Sequence, residues 1–230
     1  MTGHGRRSFK PVIMKVYTLV FNPFEENTYL VADANGDTLV IDPGCATPQE
    51  CAQLDATVAK HGLHPRKMVL THCHFDHTAG CAAVKAKYGI TCGMSRGDLP
   101  YLKDMQQQGI AFGFGATELP EADFWLDDTP EIRWGEAALQ VIATPGHSAG
   151  SVCFYAPGEH LLFAGDTIFQ GSIGRTDLPG GNYDTLMDSI EQRILTLPPD
   201  TRIFSGHGPS STLDEERLNN PFLLRLGRYL

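Results

Sequence analysis

Apolar positions fall into many short runs separated by turn residues. Val12 to Phe21 is rich in β-branched and aromatic residues and predicts a strand. Over residues 26–44 two apolar runs flank Asn35-Gly36, a strong tight-turn signal, and the stretch predicts a hairpin. Thr47 to Gly62 predicts a helix: Thr47 and Glu50 have capping-box spacing, Pro48 takes the first helical position and Gly62 closes the end. Residues 67–70 predict a short buried strand, and Ala79 to Tyr88 a second helix. Residues 94–130 predict irregular structure. There glycines alternate with Ile110, Phe112 and Phe114, a pattern that suits a packed surface loop, a mobile apolar lid or a subunit contact.

The second half repeats the rhythm. Residues 132–134, 138–146, 151–157 and 160–166 predict four strands. Asn182 to Leu197 predicts an amphipathic helix with Leu186, Ile190 and Ile194 on one face, stopped by Pro198 and Pro199. Residues 201–208 predict a last strand running into a glycine-flanked histidine. This order of strands and helices predicts an α+β fold of two sheets packed face to face with helices outside. Residues 1–10, polar and basic, predict a disordered tail, and 11–230 a single domain.

Composition narrows the function classes. Lys plus Arg is 18 and Asp plus Glu is 27, a net charge of −9. That argues against sequence-independent nucleic-acid binding, which needs a basic stripe. No apolar run reaches the roughly 18 residues of a membrane span, and the opening residues have no apolar core of a signal peptide. None of the six cysteines has CxxC spacing. The expectation is a cytoplasmic protein with reduced thiols and no membrane partner.

Of nine histidines, five lie with two aspartates at predicted strand ends. Residues 71–77, THCHFDH, supply His72, His74, Asp76 and His77; His147, Asp166 and His207 follow three later strands. Each group sits beside glycine or proline, where loops can converge. His4, His61, His64 and His160 read as surface residues. Seven side chains exceed the four that one zinc takes. They suit two ions about 3.5–4 Å apart sharing a carboxylate. The all-nitrogen and oxygen set fits Zn, Fe or Mn. Cys73, between two of the histidines, reads as packing.

THCHFDH followed by His147, Asp166 and His207 resembles the metallo-β-lactamase superfamily over nearly the whole chain. GSIGRTDLPGG (171–181) and ERLNNPFL (216–223) are similar to the short glyoxalase II-like (hydroxyacylglutathione hydrolase-like) hydrolases. The resemblance implies a four-layer αββα sandwich with two divalent metals, zinc foremost, at one edge. It implies that His72, His74 and His147 bind one ion, that Asp76, His77 and His207 bind the other, and that Asp166 bridges. A bridging Asp166 argues against antibiotic hydrolysis.

The expected activity is thioester hydrolysis by a metal-bridging hydroxide, with Asp76 and Asp166 as catalytic residues and Asp76 orienting the nucleophile. A thiolate departs without a proton donor, because a thiol pKa lies near 8.5; an alkoxide would need one. Glutathione as the thiol stays open. Only 23 residues follow His207, short of the helical glutathione-binding domain of full-length enzymes, and HGP stands where those resemble HEY. Persulfide dioxygenase with one iron, and lactonase or phosphodiesterase activity, remain alternatives, as does the oligomeric state. Asp42 reads either as a turn residue before Pro43 or as the acceptor that fixes a ligand histidine. Ser148 reads similarly. Arg175 either pairs with Asp177 to brace the metal loop or faces the substrate.

Overall fold

Alternation along buried strands sets the layers. The protein is described from a computed structural model over residues 13–114, 118 and 120–225. The tail expected over 1–10 lies outside these residues. The first sheet begins with β1 (Lys15–Phe21), β2 (Glu26–Ala32) and β3 (Asp37–Ile41), paired antiparallel around the Asn35-Gly36 turn. Helix α1 (Pro48–His61) carries the predicted capping box, and Gly62 ends it in the left-handed conformation. β4 (His64–Val69) returns parallel to β3. After α2 (Phe75–Thr78) and α3 (Cys81–Tyr88), β5 (Thr91–Met94) pairs parallel to β4.

Residues 94–130, expected to be irregular, contain a 3₁₀ turn at Arg96–Tyr101 and helix α4 (Leu102–Ala111). Leu102 and Met105 bury one face of α4 against the first helical layer. No side chain caps its N-terminus, so the usual start signal is missing. β6 (Phe124–Trp125) then completes a six-stranded sheet in the order β1-β2-β3-β4-β5-β6. Residues 115–117 and 119 of the expected lid lie outside the described residues.

The second sheet is built from β7 (Glu131–Trp134), β8 (Ala137–Ala143), β9 (Val152–Ala156) and β10 (Leu161–Gly165), an antiparallel meander. A small ribbon, β11 (Ile168–Phe169) with β12 (Ser172–Ile173), precedes α5 (Tyr183–Ser189). The helix expected over Asn182 to Leu197 is α-helical only to Ser189 and continues as a π-helical turn at Ile190–Ile194. Its hallmark is the Leu195 N–H bonded to Ile190 O, five residues back. Ile190 and Ile194 stay buried, so the apolar face survives the change of winding. β13 (Arg202–Ser205) runs parallel to β10, β14 (Ser211–Thr212) closes the edge, and α6 (Leu213–Asn219) and α7 (Pro221–Leu224) follow.

Tyr29, Val31, Leu39, Ile41 and Val69 of the first sheet meet Leu139, Phe154, Phe163 and Phe204 of the second in one cluster. Their neighbours Leu30, Val40 and Met68 point the other way, onto Leu54, Val58 and Val84 of α1 and α3. Cys153, Leu162 and Ile203 likewise face Leu186, Ile190 and Leu213. The period of two thus gives each sheet two apolar faces and produces the expected αββα sandwich. Among the described residues no helix is long and apolar enough to cross a membrane. β4, β8, β10 and β13 all deliver their C-terminal loops to one edge, stitched by Val152 N–H to Thr71 O (2.8 Å) and Gly206 N–H to Gly165 O (2.8 Å).

Candidate metal centre

That edge brings all seven predicted side chains together. In the first triad His72 Nε2 lies 3.1 Å from His74 Nδ1, and His147 Nε2 lies 3.2 and 2.8 Å from the same two atoms. In the second, His207 Nε2 lies 3.3 Å from both His77 Nε2 and Asp76 Oδ2. Each triad has the spacing of a metal-ligating set. Asp166 spans them: Oδ1 is 3.4 Å from His77 Nε2, and Oδ2 is 3.5 Å from both His147 Nε2 and His207 Nε2. Asp166 Oδ1 is buried without a hydrogen bond, an orphan that a cation at this point would satisfy.

The far sides of the rings fix which nitrogens face inward. His147 Nδ1 lies 2.7 Å from Arg175 O, and His207 Nδ1 lies 2.8 Å from Phe24 O. A carbonyl only accepts, so both Nδ1 atoms carry the proton and both Nε2 atoms are left for an ion. His77 Nδ1 faces Asp42 Oδ2 at 3.1 Å and is fixed the same way. His72 Nδ1 faces Thr71 Oγ1 at 3.1 Å; that hydroxyl donates to Asp42 Oδ2 and so accepts from the ring. Four imidazoles therefore aim Nε2 at one another, as lone pairs wherever that nitrogen carries no proton. Such an arrangement is repulsive alone and cohesive around cations, so the donor set fits metal ions.

Electrostatics separate the triads. Burial, then the neighbouring histidines, push the His72 pKa well below its usual value, and burial with His147 brings His74 to about 3. At His77 and His207 burial also acts downward, but Asp166 and Asp76 overcome it. His77 rises well above the ordinary range and His207 rises to about 10. Burial acts upward on Asp166 and Asp76, yet His77 and His207 hold both below the usual carboxylate range. Without metal, His72 and His74 are held neutral and the second triad is an ion-paired cluster.

Asp42 resolves as the acceptor: buried, at φ +49°, it holds Thr71 and His77. Ser148 does not reach the seven side chains; it donates to Asp98 at 3.2 Å. Arg175 and Asp177 form a two-pronged exposed pair at 2.8 Å, the bracing arrangement. Cys73 is buried in the apolar cluster below the site.

Three residues had no role assigned from the sequence. Thr71 relays Asp42 to His72. Glu26 is fully buried, accepts from Thr28 Oγ1 at 2.9 Å, and is pushed well above the usual carboxylate range by burial. Asp98 lies in the segment read as irregular. Only its acidity beside a turn glycine marks it in the sequence. On the outer flank Phe24, Phe75, Phe112 and Phe114 pack together, with ring centroids 4.8–5.7 Å apart.

A family profile described as the metallo-beta-lactamase superfamily matches residues 21–207. Hydroxyacylglutathione hydrolase GloC of Haemophilus influenzae is 31% identical over 212 residues, covering 91% of this chain and 98% of that protein. Among solved structures, the B3 metallo-beta-lactamase BLEG-1 superposes with a TM-score of 0.83 at 33% identity, covering 91% of this chain and 99% of that one. TTHA1623, solved in a di-iron-bound form, gives a TM-score of 0.80 at 37% identity, covering 90% and 100%.

Proposed function

Since the chain belongs to the metallo-β-lactamase superfamily, and is a metal-dependent hydrolase of it, we propose that it hydrolyses acyl thioesters of the S-acylglutathione type at a two-metal centre. The observation that carries this reading is Asp166, with carboxylate oxygens directed to both triads. His72, His74 and His147 would hold one ion and Asp76, His77 and His207 the other, with Asp166 shared. Zinc is the first choice; iron or manganese suits the same donors, and the di-iron form of a similar structure supports iron. When bound, the ions supply a water of pKa lowered toward about 7 and polarise the substrate carbonyl.

The chain's own groups do the rest. Asp76, a member of the second triad whose side chain is still reached by solvent, orients the attacking water. Asp42 and Thr71 keep His72 and His77 in the ligating tautomer. Asp42, Asp98 and Glu26, the carboxyl groups behind the ligands, are all fully buried, which puts none of them within reach, as a proton donor, of a leaving group at the open side of the site. A thiolate needs no such donor. That favours a thioester over an alkyl ester or amide, and the likeness to a hydroxyacylglutathione hydrolase supports the choice. The net charge of −9 fits a small-molecule substrate better than nucleic acid.

The likeness to a B3 metallo-beta-lactamase supports a second reading, hydrolysis of a β-lactam amide at the same centre, against which the shared Asp166 stands. Turnover of S-lactoylglutathione by protein loaded with zinc, iron or manganese separates the two, with His74→Ala as control. Thioester turnover that vanishes in the control supports the first reading. Turnover of a cephalosporin alone establishes the second. Oxygen uptake with glutathione persulfide, and no hydrolysis, overturns both in favour of a dioxygenase.

A further inference from the structure

The loops that carry the first triad come from opposite halves of the sandwich. His72 and His74 follow β4, and His147 follows β8. One side chain outside both loops joins them. Asp98, on the 3₁₀ turn Arg96–Tyr101, is fully buried. Its Oδ2 accepts the N–H of Cys73, the residue between His72 and His74, at 2.9 Å. Its Oδ1 accepts the N–H of Gly150 at 2.7 Å, and Oδ2 also takes the hydroxyl of Ser148, the neighbour of His147, at 3.2 Å.

We propose that Asp98 is a positioning residue for the first metal: its carboxylate locks the 72–74 and 147–150 loops in register and so sets that triad's affinity. The packing is built for contact. A Cβ on Gly150 would lie 2.7 Å from Asp98 N, and one on Gly97 would lie 2.6 Å from Ala149 O. Only glycine lets the turn and the loop approach so closely. The ring of His147 is held from the other side through Arg175 O, so its position depends on where the loop places its backbone. No cationic side chain pairs with Asp98 among the described residues. Burial pushes its pKa up, and the three donors work against that rise. Without Asp98, the N–H groups of Cys73 and Gly150 lose their acceptor in a buried site.

This inference rests on the two-metal reading, and its test does not use turnover. Zinc is titrated by chelator competition into wild type, Asp98→Asn, Ser148→Ala and His74→Ala, with the cobalt(II) visible spectrum and metal-free unfolding recorded in parallel. Asparagine keeps the shape but turns an NH₂ toward one of two N–H donors. Asp98→Asn is expected to weaken one site about 10–100-fold, leave the other unchanged, and lose the cobalt band that His74→Ala loses. Ser148→Ala removes one of the three bonds to Asp98 and shifts the same site less. Unchanged affinity at both sites with lowered metal-free stability makes Asp98 a purely structural residue and overturns the proposal, as does equal weakening of both. A wild type that binds one ion defeats the two-metal reading; unchanged affinity of that ion in Asp98→Asn defeats this inference as well.

Discussion

Asp42 grips Thr71 with both carboxylate oxygens: Oδ1 accepts the Thr71 N–H at 2.7 Å, and Oδ2 accepts its hydroxyl at 2.5 Å. The hydroxyl proton is then spent, so Thr71 Oγ1 accepts from His72 Nδ1. The same Oδ2 faces His77 Nδ1. One buried side chain therefore orients a histidine in each triad, and does so from a left-handed backbone conformation that aspartate tolerates better than most residues.

Thr71→Val keeps the shape and deletes the relay. His72 Nδ1–H loses its acceptor, and Asp42 loses one of three donors. The expected cost is about 1–3 kcal/mol of stability and about 10–100-fold in metal affinity. Denaturant unfolding with and without zinc, beside a chelator titration, reads both. Unchanged metal affinity would show that His72 is oriented without Thr71.

Asp166→Asn tests the shared carboxylate. The amide cannot present two anionic oxygens to both triads. Metal content by elemental analysis is expected to fall from two ions to one, with kcat at least about 100-fold lower. Two ions retained at full affinity would mean that the triads bind independently and that Asp166 bridges nothing.

The seven clustered side chains were legible because each follows an apolar run that reads plainly as a strand end. The hairpin, α1 and its caps were legible for a similar reason: Asn35-Gly36, the Thr47–Glu50 pair and Gly62 are local signals. Helix α4 was not, since Tyr101 gives no cap and the neighbouring glycines imitate a loop. Thr71 stands in the motif but takes its role from Asp42, 29 residues away; Asp98 and Glu26 were hidden for a similar reason. Their partners lie 25 and 52 residues away for Asp98, at Cys73 and Gly150, and no spacing rule connects them. Asp42 stood between two readings because its backbone is a turn and its carboxylate is an acceptor; the fold uses both.

The metal-free protein should hold protons that the ions displace. His207, raised to about 10, and His77, also raised, are charged at pH 7.5 while Asp166 and Asp76 stay ionised. Their Nδ1 atoms are committed elsewhere, so Nε2 is the position that exchanges proton for metal. The raised histidines stabilise the metal-free fold fully below about 6.5, and that contribution fades as pH climbs toward their folded values. The depressed carboxylates act oppositely and lose theirs on acidification. Zinc affinity should therefore rise with pH from 7 to 9. Calorimetric titration at pH 7.5 in buffers of different ionisation enthalpy should show release of at least one proton per centre. A binding heat independent of buffer would contradict the ion-paired second triad.

Gly146 places His147 through its backbone alone. It adopts φ +137°, and a Cβ there would lie 2.3 Å from both N and Cα of Leu186 in α5. Those are backbone atoms on the buried face of the helix, and Asn182 N–H holds Gly146 O at 2.7 Å, so neither side can yield. Gly146→Ala is expected to cost about 2–3 kcal/mol and to displace His147 from His72 and His74, weakening the first metal. Gly171→Ala is the control: φ is also positive at +68°, but open space surrounds it, so strain of about 1 kcal/mol is the whole penalty. Thermal unfolding and zinc titration of both variants decide the matter. If the two variants lose the same stability and neither loses metal, the contact with α5 does not position His147, and the loop reaches its geometry from the Asp98 side alone.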